Sequence, residues 1–186
     1  HQKWVERYRP KNLDDFIGEK SIVDKIKQYL YEDNYIPSML FYGPPGTGKT
    51  TLSKIIMEHF RNQGAAVMYV NASDKSGVDF IRDEIIPFAS SATYGSTSSI
   101  SKLVVLDEFN RSSFEMQTSL NNIMETYSSK LSFIFTSNFE NKIIPDFTYA
   151  LSGCNEDQDS LNLLLRDESL FDQPGFNLNS WNWKVS

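Results

Sequence analysis

Cysteine is almost absent. Cys154 stands alone among 186 residues, so no internal disulfide can form and a thiolate zinc cluster is excluded. Histidine is equally scarce. With His1 and His59 only, a histidine-centred metal site or a hydrolytic triad has too few parts. Long apolar runs are lacking too. None approaches the ~20 residues that a bilayer-spanning helix needs, and the opening HQKWVERYRP is polar and basic, without the apolar centre of a signal peptide. No membrane partner is expected, and the single cysteine fits a reducing, cytoplasmic location. A basic excess is missing as well. Net charge is −6, which argues against a free-standing nucleic-acid binder with a large basic surface. The acidity is concentrated late. Residues 147–186 hold six acids and two bases, whereas residues 1–146 hold 18 and 16 and are near neutral.

What is present is an ordinary soluble composition, 40% hydrophobic and 23% charged, in a length suited to one domain. No internal repeat is visible. SMLFYG, AAVMYVN, KLVVLDEF and LSFIFTSN are short apolar runs that read as buried strands. Between them lie helical patterns: SIVDKIKQYLYE, KTTLSKIIMEHFRNQG, SGVDFIRDEIIPFAS with Pro87 as an end or kink, and SSFEMQTSLNNIMETYSS with Phe114, Met116, Leu120 and Met124 as its expected buried positions. Alternating strands and helices predict an α/β fold, a parallel sheet covered on both faces. Beyond Pro145 the pattern loosens. LNLLLRDESLF reads as a short helix, and DQPGFNLNSWNWKVS shows turn signals without a period. Two regions are expected: a nucleotide-binding core over 1–146 and a poorly packed acidic tail over 147–186.

GPPGTGKT, residues 43–50, has the spacing G-x-x-x-x-G-K-T of a phosphate-binding loop between a strand and a helix. Its glycines let backbone N–H groups turn inward around a phosphate, and the following helix directs its positive end at the same anion. Gly46, Thr47, Gly48, Lys49, Thr50 and Thr51 are the expected ATP contacts. Lys49 is expected to reach the β- and γ-phosphates, and the Thr50 hydroxyl to ligate Mg²⁺. LVVLDEFN then delivers Asp107 and Glu108 at the end of a strand, where open α/β sheets bind ligands. Asp107 suits the Mg²⁺, held through water. Glu108 suits the role of base for the attacking water. FIFTSN ends the next strand with Asn138, whose amide can hydrogen-bond both a γ-phosphate and that water. Lys49, Glu108 and Asn138 are therefore the expected catalytic set.

Loop, acidic pair and strand-end Asn, in this order, resemble the AAA+ ATPases. WVERYRP followed by LDDFIG narrows the resemblance to the clamp-loader ATPases: the replication factor C small subunits and the corresponding subunit of tailed phages. VNASDKSGVDFIRDEIIPFAS and LDEFNRSSFEMQTSLNNIMETYSS also resemble the phage subunit. The resemblance covers about residues 4–146. It implies a three-layer P-loop AAA+ domain that binds and hydrolyses ATP with Mg²⁺, in company with other clamp-loader subunits, a sliding clamp and primer–template DNA. It places the adenine between Val5, Glu6, Arg7 and Tyr8 on one side and Ile17 on the other. It assigns Arg82, Arg111 and Ser112 to the DNA backbone. It assigns Phe88 and Tyr94 to the sliding clamp, although Phe88 reads equally well as core.

The resemblance breaks after residue 146. Where the family has Ser-Arg-Cys, this sequence has Ser152-Gly153-Cys154, and the lid and collar domains have no counterpart. Three functions are compatible with these residues. The first is a clamp-loader ATPase subunit or its N-terminal part. The others are another AAA+ DNA motor, such as a branch-migration ATPase, and a catalytically idle nucleotide-binding module.

Overall fold

A computed structural model describes residues 9–138, except 19, 76, 94, 96 and 98, together with the backbone of 182–185. In chain order the elements are α1 (Lys20–Lys27, continued by a π-helical turn Gln28–Asp33), β1 (Met39–Tyr42), α2 (Lys49–Asn62), β2 (Ala66–Asn71), α3 (Val78–Phe80, Ile81–Ile85 and Ile86–Ser90 in succession), β3 (Lys102–Asp107), α4 (Phe114–Tyr127), β4 (Leu131–Ser137) and β5 (Asn182–Val185). The strands form one sheet in the order β2-β3-β4-β1-β5. The first four are mutually parallel, as the alternating pattern predicts. β5 is the addition. It pairs antiparallel with β1, Met39 opposite Val185, and occupies the edge that β1 would otherwise expose.

The central strands β3 and β4 are buried on both faces because their apolar residues point to each side in turn. On β3, Leu103 and Val105 face one core, and Val104 and Leu106 the other. On β4, Ile134 opposes Phe133 and Phe135 in the same way. The first core is closed by Ile22, Ile26 and Leu30 of the α1 segment and by Leu52, Ile55, Ile56 and Phe60 of α2. The second is closed by Phe80, Ile81, Ile85 and Ala89 of α3 and by Met116, Leu120, Ile123 and Met124 of α4. The result is a three-layer sandwich. Among the described residues no helix is long and apolar enough to cross a membrane.

Two local expectations need correction. Pro87, expected as an end or kink, does not end its helix. It lies inside Ile86–Ser90, and the ladder changes to π spacing over Ile81–Ile85 just before it. That change of register is one of the few ways a helix accommodates a proline with no N–H to donate. Phe114 is not a core residue. It is the first residue of α4, 63% exposed, and the buried stripe starts at Met116.

The start of α4 is fixed by Ser113, whose Oγ accepts the Met116 N–H at 3.1 Å. Ser113→Ala removes this cap and is expected to cost about 1 kcal/mol of stability. Urea denaturation measures it, and an unchanged midpoint would show that the cap contributes nothing. The expected helix at LNLLLRDESLF lies outside the described residues.

Candidate active site

The C-terminal ends of β1, β3 and β4 converge on one cleft of about 360 Å³. The phosphate-binding loop forms one wall. Gly46 and Gly48 have φ of 83° and 88°, a left-handed conformation that side-chain-bearing residues rarely adopt. The space around Gly46 is open, so backbone angle rather than crowding calls for glycine there. Gly48 leads directly into α2, whose first residue is Lys49. The Lys49 ammonium folds into the mouth of the loop. It donates to the carbonyls of Gly43 and Pro44 at 2.8 Å each, and lies 3.3 Å from Thr47 Oγ1. Burial lowers its pKa, and the Asp107 charge opposes that shift. A phosphate arriving at the loop would supply the counter-charge that this buried cation calls for.

The opposite wall is built around Asp107, the last residue of β3. Thr50 Oγ1 donates to its two oxygens at 3.0 and 3.1 Å. Thr136 of β4 donates to Oδ1, and the Tyr69 hydroxyl of β2 to Oδ2 at 2.6 Å. Burial raises the Tyr69 pKa, and the bond to the Asp107 carboxylate raises it further, so the phenol remains a donor. Thr136 does a second job: its oxygen accepts the Glu108 N–H at 3.1 Å. Glu108 has a left-handed backbone, φ 56°. Such a conformation costs about 1–3 kcal/mol in a non-glycine residue. The next residue, Phe109, is fully buried, with its ring centroid 4.6 Å from that of Phe135. Burial of a phenylalanine contributes about 1.5–3 kcal/mol, enough to hold the turn. The turn presents Glu108 to the cleft, where its carboxylate is 3.6 Å from Arg111 Nε.

Of the residues expected from the sequence, the cleft brings together Gly46, Gly48, Lys49, Thr50 and Thr51 with Asp107, Glu108 and Asn138. Thr47 is turned back on the loop and donates to Pro44 O at 2.9 Å. The Asn138 backbone is held by its N–H to Asn110 Oδ1 at 3.2 Å. Ile17 is not part of the cleft wall and is 94% exposed. Val5, Glu6, Arg7 and Tyr8 lie outside the described residues, as does Tyr94. Arg82 is on the outside of α3 and paired with Asp79 at 2.7 Å and Asp83 at 3.1 Å. Arg111 is exposed, and the Ser112 hydroxyl donates to Phe109 O at 2.6 Å. Phe88 is half-buried against the second core, with the Lys102 ammonium 5.8 Å from its ring centre.

The cleft lining also includes Arg9, Pro45 and Thr136, which the sequence did not single out, and Tyr69 reaches Asp107 from behind the lining. Arg9 follows Tyr8 directly in the segment read as adenine-binding. A larger cleft of about 790 Å³ opens at the other end of the sheet, beside the first residues of β3 and β4, Lys102 and Leu131. Among the described residues its lining has two lysines and several hydroxyls but no carboxylate, and so no acid–base or metal-binding pair.

The donor set at Asp107 suits a hard cation. It offers one carboxylate and one threonine hydroxyl, both oxygen, and no cluster of three His, Cys, Asp or Glu exists among the described residues. Two protein ligands are too few for a dedicated cage but fit Mg²⁺, which keeps several waters and binds with substrate phosphates.

Comparison with known proteins agrees with this geometry. Residues 39–155 match the profile of the AAA family, the ATPase family associated with various cellular activities. The chain belongs to the AAA ATPase family. This AAA chain is 42% identical over 144 residues to the probable replication factor C subunit 5 of Dictyostelium discoideum, and 40% over 147 residues to replication factor C subunit 3 of Schizosaccharomyces pombe. Each alignment takes in 76% of this chain and 41% of the relative, so the AAA chain spans about two fifths of the length of the curated relatives it matches. Among solved structures, the Thermotoga maritima RuvB Holliday junction branch migration motor superposes with a TM-score of 0.58 at 20% identity, over 74% of this chain and 44% of that one. This likeness shows the AAA fold alone.

Proposed function

We propose that residues 1–146 are the ATP-binding and hydrolysing core of a clamp-loader subunit, which uses Mg·ATP to help place a sliding clamp on primer–template DNA, with 147–186 as a divergent acidic tail. One observation carries the catalytic part: a single carboxylate, Asp107, is hydrogen-bonded to the loop threonine Thr50 and, through Thr136, tied to the backbone of Glu108. Loop, metal carboxylate and base are thereby one unit. The likeness to replication factor C subunits supports the clamp-loader part over a branch-migration role.

In this reading Lys49 and the loop amides bind the phosphates, with Thr51 alongside. Thr50 and Asp107 would hold Mg²⁺, which supplies charge neutralisation at the β- and γ-phosphates. Glu108 takes the proton of the attacking water, and Asn138 orients that water against the γ-phosphate. Glu108 and Asn138 favour turnover over idle storage. The adenine belongs with Val5–Tyr8. DNA contact is assigned to Arg111 and Ser112 beside the site and to Arg82, which must exchange its acidic neighbours for phosphate. Clamp contact is assigned to Phe88 and Tyr94. Other clamp-loader subunits are the expected partners, in the cytoplasm of the cell or of a phage host.

The family's trans-acting arginine is replaced by Gly153 in this sequence. Loss of such a group costs ~10³-fold or more in rate in nucleotide hydrolases. The chain by itself is therefore expected to bind Mg·ATP and to hydrolyse it very slowly at every protein concentration, because self-association cannot create the missing group. Steady-state phosphate release against protein concentration tests this. A fast rate that rises with concentration would contradict it.

A further inference from the structure

An ionised carboxylate offers about four acceptor positions. At Asp107, hydroxyls of three residues fill most of them: Thr50 across both oxygens, Thr136 on Oδ1 and Tyr69 on Oδ2. Thr50 and Thr136 belong to the loop and to the strand that ends in Asn138. Tyr69 belongs to neither and has no part in the function proposed above. It reaches Asp107 from β2, two residues before Asn71, which is the register partner of Asp107. The Asn71 amide is directed at Ser73, its Oδ1 accepting from both the N–H and the hydroxyl of that residue. The longer phenol spans the diagonal instead, at 2.6 Å. Its ring is flanked by α2, with Lys54 Nζ 5.8 Å from the centroid.

We propose that Tyr69 is a positioning residue for the divalent cation. Its hydroxyl fixes the rotation of the Asp107 carboxylate, so that the edge bridged by the Thr50 hydroxyl is turned to the cleft. Thr50 uses its proton on Asp107 and keeps its lone pairs for the metal. Tyr69 and Thr136 brace the two carboxylate oxygens from the flanking strands, one from each side. Without the phenol the carboxylate is held on Oδ1 by Thr136 but loses its short bond on Oδ2, and it must be ordered by the metal itself. This inference rests on the reading of the cleft as a Mg·ATP site.

The test is Tyr69→Phe, which keeps the ring and removes only the hydroxyl. ATP affinity is measured by titration calorimetry in EDTA and over a series of Mg²⁺ concentrations. Loss of a hydrogen bond to a metal carboxylate typically weakens metal binding 10–100-fold, so the Mg²⁺ midpoint is expected to rise about tenfold while affinity in EDTA stays within about twofold. An unchanged Mg²⁺ midpoint overturns the proposal. An equal loss in EDTA and in Mg²⁺ also overturns it, because Tyr69 would then support the cleft as a whole. If the wild-type protein binds ATP with no dependence on Mg²⁺, the Mg·ATP reading itself fails, and the two failures are told apart by the wild-type curve alone.

Discussion

Lys49→Ala is expected to weaken Mg·ATP binding by about a hundredfold or more. The ammonium is buried in the mouth of the loop, and its present partners are backbone carbonyls rather than a carboxylate. Among the described residues no carboxylate forms an ion pair with it. A phosphate chain in the loop would meet this cation already desolvated, so the attraction is little screened. Truncating one member of a buried, hydrogen-bonded charge pair costs about 2–5 kcal/mol, and every 1.4 kcal/mol is about tenfold in affinity. Titration calorimetry reads the loss, with a thermal melt to show that the variant folds. Affinity equal to wild type would remove the phosphate-loop assignment, and with it the roles given to Thr50 and Asp107.

Glu108→Gln is expected to leave ATP affinity nearly unchanged and to lower turnover by about 10²-fold or more, the range that a positioned general base contributes. Glutamine keeps the length of the side chain but cannot take a proton. The strained backbone at residue 108 is held by Phe109 burial and by the bond from the Glu108 N–H to Thr136, and neither involves the carboxylate. The substitution thus changes chemistry without disturbing the turn. Phosphate release under saturating ATP is the measurement, made in an assembly that turns over. If Glu108→Gln hydrolyses ATP as fast as wild type, another group activates the water.

The four parallel strands and the helices between them were legible because each strand is a continuous apolar run closed by glycine, acids or Asn. The loop spacing and the acidic strand end are local patterns, and the cleft brings their Lys49, Thr50, Asp107 and Glu108 together. Tyr69 and Thr136 were not legible, because their proximity to Asp107 depends on which strands are neighbours. The order β2-β3-β4-β1 places residues distant in sequence side by side. Phe114 shows a different failure: a helical period identifies a stripe but not where the helix begins, and the Ser113 cap puts Phe114 at the exposed first position. β5 had no readable period, and its pairing with β1 is a matter of backbone complementarity at an open edge. Ile17 was assigned by resemblance rather than by any property of its own, and its exposure leaves the adenine contact resting on that resemblance.

We propose a hydrolytic core whose site is completed by another clamp-loader subunit. The most direct test is steady-state phosphate release by the chain mixed with an intact replication factor C small subunit, with sliding clamp and primer–template DNA present, using wild-type and Glu108→Gln forms of this chain. The expected result is a rate above the sum of the separate components, with the excess abolished by Glu108→Gln in this chain. A rate equal to that sum, or an excess untouched by Glu108→Gln, would contradict the claim.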